Sequence, residues 1–81
     1  MSAPDLNAED AAALARLREH LRRLGDPDPR VTVDRTPAGW CCVASATVRD
    51  GLRSGTLAVT AWHETAGGAI CEAGRLCGVA L

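Results

Sequence analysis

Apolar residues recur along the first third of the chain at helical spacing. Leu14, Leu17, Leu21 and Leu24 stand three and four residues apart, which predicts a helix from Ala8 to Leu24 with one leucine face. Asn7 fits the N-cap, with Asp10 three residues on in the capping-box position. Glu9 and Asp10 at the start and Arg22 and Arg23 at the end complement the helix dipole, and Gly25 suits a left-handed stop. The run Asp26, Pro27, Asp28, Pro29 bars further helix. The period then changes to two. Arg30 to Arg35 reads as a short strand with Val31 and Val33 on one side, and Thr36 to Gly39 reads as a turn. From Trp40 to Arg49 the alternation puts Trp40, Cys42, Ala44, Ala46 and Val48 on one face. Cys41, Ser45, Thr47 and Arg49 take the other, joined there by the apolar Val43.

Asp50 and Gly51 read as the centre of a two-residue type I′ hairpin, a turn that needs positive φ at both positions. With Arg49 opposite Leu52, Ala44 faces Leu57, Cys42 faces Val59 and Trp40 faces Ala61, so both strands present their apolar sets on one side. Thr65 is placed as the N-cap of a second helix reaching about Ala80, with Leu76, Ala69, Ala80, Ala73, Ala66, Cys77 and Ile70 on one arc. The expected fold is α+β: a two-layer sandwich of helix, three-stranded antiparallel meander and helix, with both helices on one sheet face. Residues 1–81 read as one domain, residues 1–6 being a flexible lead. The opposite sheet face, with Cys41, Val43, Ser45, Thr47, Thr56, Ala58, Thr60 and Trp62, is left open.

Size and composition sharpen this picture. A chain of 81 residues has room for one core and none for a deep catalytic cleft. Phe and Tyr are absent, and Trp40 and Trp62 are the only aromatics, so Leu, Val, Ile and Ala must fill the interior. So thin a core favours self-association, and a homodimer is expected. There is no lysine, and nine arginines against ten acidic residues leave a net charge of -1, which does not supply the positive field that phosphate backbones require. The polar, acidic beginning is unlike a secretory signal, and no apolar run approaches the roughly 20 residues of a membrane span. A cytoplasmic protein with reduced thiols is expected.

Several constellations bear on function. Gly67, Cys71, Gly74 and Gly78 align in a stripe of small residues on the second helix, the expected surface for self-association, where Cys71 faces its symmetry mate. The competing reading of that stripe is close packing within one chain. Cys41 and Cys42 are adjacent on a strand and point to opposite faces, Cys77 lies on the core arc, and His20 and His63 share no motif with them. No metal site and no cofactor are therefore expected. No nucleophile stands beside a base, which argues against an enzyme. Arg16, Arg18, Arg22, Arg23 and Arg30 form a strip that Glu19, Asp26 and Asp28 interrupt. Trp62, Arg49, Thr47 and Thr60 on the open face are the expected contacts with a partner.

The order of elements resembles the double-stranded-RNA-binding domain. That family grips phosphates with a lysine cluster at the start of its last helix, where this chain has Thr65, Ala66, Gly67, Gly68 and Ala69. It also carries a histidine in the loop matching Pro37, Ala38 and Gly39. Nucleic acid is thus an unlikely partner. The second half, from Gly39 and Trp40 through Asp50-Gly51 to Ala69, Ile70, Cys71, Glu72 and Ala73, resembles small phage and prophage sandwich proteins. That resemblance implies a phage- or mobile-element-encoded inhibitor that binds a host protein, in its specific form an anti-CRISPR blocking a host CRISPR effector complex. The alternatives are a degenerate double-stranded-RNA-binding module and a structural dimer module of a phage assembly.

Overall fold

A computed structural model describes residues 6–81. Its elements are α1 (Ala8–Arg23), β1 (Arg30–Thr36), β2 (Gly39–Asp50), β3 (Arg53–His63) and α2 (Ala66–Leu76). The strands form one antiparallel sheet in the order β1-β2-β3. Leu17 and Leu21 of α1, Ala69, Ile70 and Ala73 of α2, and Val31, Val33, Cys42, Ala44, Ala46 and Ala61 of the sheet belong to one buried cluster. Both helices therefore cover the same sheet face, as the apolar alternation of β2 requires.

The leucine stripe of α1 drives its docking, with Leu17 and Leu21 wholly buried and each contributing on the order of 2 kcal/mol through removal from water. Asn7 caps the helix, its Oδ1 accepting the Asp10 N–H at 2.8 Å. Leu24 and then Gly25, which takes a positive φ, close the other end. Of the expected flexible lead, residues 1–5 lie outside the described residues, whereas Leu6 packs against the core. The β2 core face is built from small residues, Cys42, Ala44 and Ala46, at most 4% exposed. Their size lets two helices lie close to the sheet in a chain this short. The helices are tied together where His20 Nε2 donates to the Cys77 carbonyl at 3.0 Å.

The hairpin register differs from the sequence expectation by two residues. Asp50 faces Arg53, so Gly51 and Leu52 form the loop, and Cys42 faces Ala61, Ala44 faces Val59, Ala46 faces Leu57 and Trp40 faces His63. Gly51 is left-handed (φ 63°) and among the described residues none other than glycine has positive φ, which is the demand of a type II′ turn and not of a type I′ turn centred on Asp50. A shift of two keeps every side chain on its face, so the apolar pattern satisfies either register. The turn decides, because only one of its central positions carries the cost of positive φ and Gly51 meets it.

The second helix also ends earlier than expected, at Leu76 and not near Ala80. Gly78 is left-handed (φ 88°), the Gly78 N–H donates to Arg75 O at 3.1 Å and the Val79 N–H to Gly74 O at 2.9 Å. This is a Schellman stop, which turns residues 79–81 back so that Val79 and Leu81 pack on the core. The buried arc is correspondingly turned toward Gly74. Leu76, expected inside, is 45% exposed at the margin of that arc.

Candidate partner-binding surface

The sheet face away from the helices is read directly from the register. Its rows are Asp34, Cys41 and Trp62; then Thr32, Val43 and Thr60; then Arg30, Ser45 and Ala58. Beyond the end of β1 it continues with Thr47 beside Thr56 and Arg49 beside Ser54. Most of these side chains are short and polar. Two large apolar groups stand out of that background, Trp62 at 57% exposure and Val43 at 39%. Leu52, at the hairpin tip, is fully exposed, although the expected register had made it a strand residue.

Of the expected contact residues, Trp62 and Thr60 are neighbours on β3, about 7 Å apart by strand rise, and Thr47 and Arg49 are neighbours on β2. The two pairs are separated by roughly 14 Å, the rise from Val43, which faces Thr60, to Thr47. Only a partner covering most of the face meets all four. Cys41 departs from its expected place on an exposed face: it is buried at 8% yet lies outside the core cluster, flanked in its row by Asp34 and Trp62.

Thr47 and Arg49 have a second role through their backbones. β1 begins at Arg30, opposite Ser45, and so leaves the edge of β2 beyond Ser45 without a strand partner. The Thr47 N–H donates to Asp26 Oδ2 at 2.7 Å and the Arg49 N–H to Leu24 O at 2.9 Å, so the α1–β1 connection covers that edge. Asp26 Oδ1 accepts the Asp28 N–H as well. The Thr47 N–H, then the Asp28 N–H, with the nearby Arg49 charge adding to them, hold the Asp26 carboxyl below its ordinary pKa.

The glycine stripe has neighbours inside the chain. A Cβ at Gly67 would lie 2.6 Å from Asp10 Oδ1, and one at Gly74 would lie 2.6 Å from Leu81 Cδ1. Gly78 is the left-handed residue of the Schellman stop, and Cys71 is exposed. Close packing within one chain thus accounts for Gly67 and Gly74, and the geometry adds no argument for a second copy at that stripe. Cys42, on the core face, is held as a neutral thiol by burial, with the adjacent Cys41 and Cys77 adding to it, and its pKa is pushed up to about 11. Burial raises Cys77 too. No group of three or more His, Cys, Asp or Glu residues among the described residues is placed to hold a metal ion. At the sheet end, His63 Nδ1 accepts the Thr65 N–H at 3.2 Å, and Thr65 Oγ1 accepts the Gly68 N–H at 3.0 Å as the cap of α2. The imidazole lies against Gly68, where any Cβ would collide with it. The sequence marked Thr65 as a cap but carried no sign of this histidine contact, since it depends on β3 ending beside the start of α2.

No family model, curated protein or solved structure matches the chain. No helix among the described residues is long and apolar enough to cross a membrane.

Proposed function

We propose that this chain is a non-catalytic protein-binding module that receives its partner on the open sheet face. The observation that supports this is the contrast within that face: an exposed Trp62 and an exposed Val43 stand among mostly short polar side chains, with Asp34, Arg30 and Arg49 around them, on a sheet surface that no other described element covers. Aromatic side chains, tryptophan above all, are enriched among the anchors of protein interfaces. In its specific form the partner is a host CRISPR effector complex and the module an inhibitor of phage or mobile-element origin. That form rests on the resemblance of the second half alone.

Double-stranded RNA is the second reading, favoured by the observed order of helix, three strands and helix. Against it stands the first turn of α2, which carries no basic residue, and the pairing of Arg22 and Arg23 with Glu19 at 3.5 and 3.7 Å. A binding experiment against purified CRISPR effector complex and against duplex RNA, at two salt concentrations, separates the two. The protein reading expects saturable binding to the complex that Val43→Asp abolishes and salt alters little. Steeply salt-dependent RNA binding that survives Val43→Asp would replace it with the RNA reading.

A further inference from the structure

The edges of the sheet are treated unequally. On the β1 edge, Arg18 donates to the outward Val31 carbonyl at 3.3 Å. The exposed stretch of the β2 edge is covered by Leu24 and Asp26, as described. Because the Thr47 and Arg49 N–H groups point away from β3, the even-numbered residues of β2 are those that bond β3, through the odd-numbered residues opposite them. Ser54, Thr56, Ala58, Thr60 and Trp62 therefore turn their backbone N–H and C=O groups to the outer edge. Among the described residues, no hydrogen bond reaches any of them. The register is continuous from Arg53 to His63, so no bulge interrupts this edge, and it holds no proline or charged residue between its ends. Those are the devices that usually keep an edge from pairing.

We propose that two copies of the chain pair through this edge, β3 against β3 antiparallel about a two-fold axis at Ala58, joining their sheets into one of six strands. Only registers that oppose even residues satisfy the outward groups, and the one centred on Ala58 uses all five. It sets Thr56 against Thr60 and Ser54 against Trp62, and it puts Arg53 of each copy opposite His63 of the other with Glu64 the next residue along, so opposite charges approach at the two ends of the edge. Leu57 and Val59 on the helix side, only half-buried while their neighbours in β2 are buried, come opposite one another and gain cover. The open faces of the two copies then form one continuous surface. The pairing is independent of the proposed partner, since it rests on the edge and not on Val43.

Sedimentation equilibrium of the full chain tests it. The wild type is expected at twice 8.4 kDa. Ala58→Pro removes only an outward N–H and leaves the β2 ladder intact, and it is expected to weaken the dimer roughly thirtyfold through the two lost central bonds. Arg53→Glu and Glu64→Arg should each weaken it at low salt, and the double exchange should restore it, which keeps the proposal testable if the proline variant fails to fold. A wild-type monomer at every concentration overturns the proposal. So does a dimer that neither Ala58→Pro nor the single charge reversals weaken.

Discussion

The two faces of β2 differ more than their sequences suggest. On one, Cys42, Ala44 and Ala46 are small and buried under two helices; on the other, Val43 and Thr47 are larger or more polar and exposed. Size is inverted relative to a sheet packed on both sides: the smaller residues sit where the crowding is. The helices supply the bulk of the core through Leu14, Leu17, Leu21 and Ile70, and the sheet supplies the floor on which that bulk rests. The open face, which packs under no helix, carries an exposed tryptophan.

The largest expected effect separates the faces by energy. Leu21→Ala should cost about 2–5 kcal/mol through the cavity it leaves, while Val43→Ala should stay within about 0.5 kcal/mol. Urea denaturation of the pair checks this, and equal losses would erase the distinction. Next comes crowding: Ala44→Leu should cost about 1–3 kcal/mol by overfilling the floor, whereas Ser45→Leu, one residue along, should be close to neutral in the same measurement. A sharper test without large energy uses thiol alkylation of the native protein. Cys71 should react first, and Cys42, protonated up to about pH 11, should react only on unfolding, as peptide mass mapping would show. Early labelling of Cys42 would mean that the helix-covered face opens readily.

The smallest effect concerns the strap at the edge of β2. The folded state holds the Asp26 carboxyl below its ordinary pKa, so the unfolded chain binds its proton first as pH falls. Its contribution is complete above the ordinary carboxylate range and is lost as pH drops through the folded value. Asp26→Asn should therefore flatten the acid limb of a stability profile measured by thermal melts. An unchanged acid limb would remove Asp26 from this role.

The element order, the faces and both N-caps were legible because each depends on local spacing: leucines at three and four, alternation by two, and Asn7 and Thr65 ahead of helical runs. The register was not, since a displacement of two residues leaves the apolar pattern satisfied and only the backbone of Gly51 discriminates. The end of α2 was not legible, because apolar residues continue past Gly78 and propensity says nothing of a left-handed glycine that turns the chain onto Gly74. Among the surface residues, Trp62 was legible as an aromatic on the outward parity. The burial of Cys41 was not, because it arises from the row that sets Cys41 between Asp34 and Trp62, nor was the strap over the edge of β2, which depends on where β1 begins.

The hairpin tip carries a practical corollary. Gly51 has nothing within 4 Å of where a side chain would start, and Leu52 projects wholly into solvent. A dye, an epitope or a short peptide grafted between these two residues would therefore hang clear of the globule. The molecule offers, at that single bend, a handle for immobilising it while leaving its broad flat side available to whatever it meets.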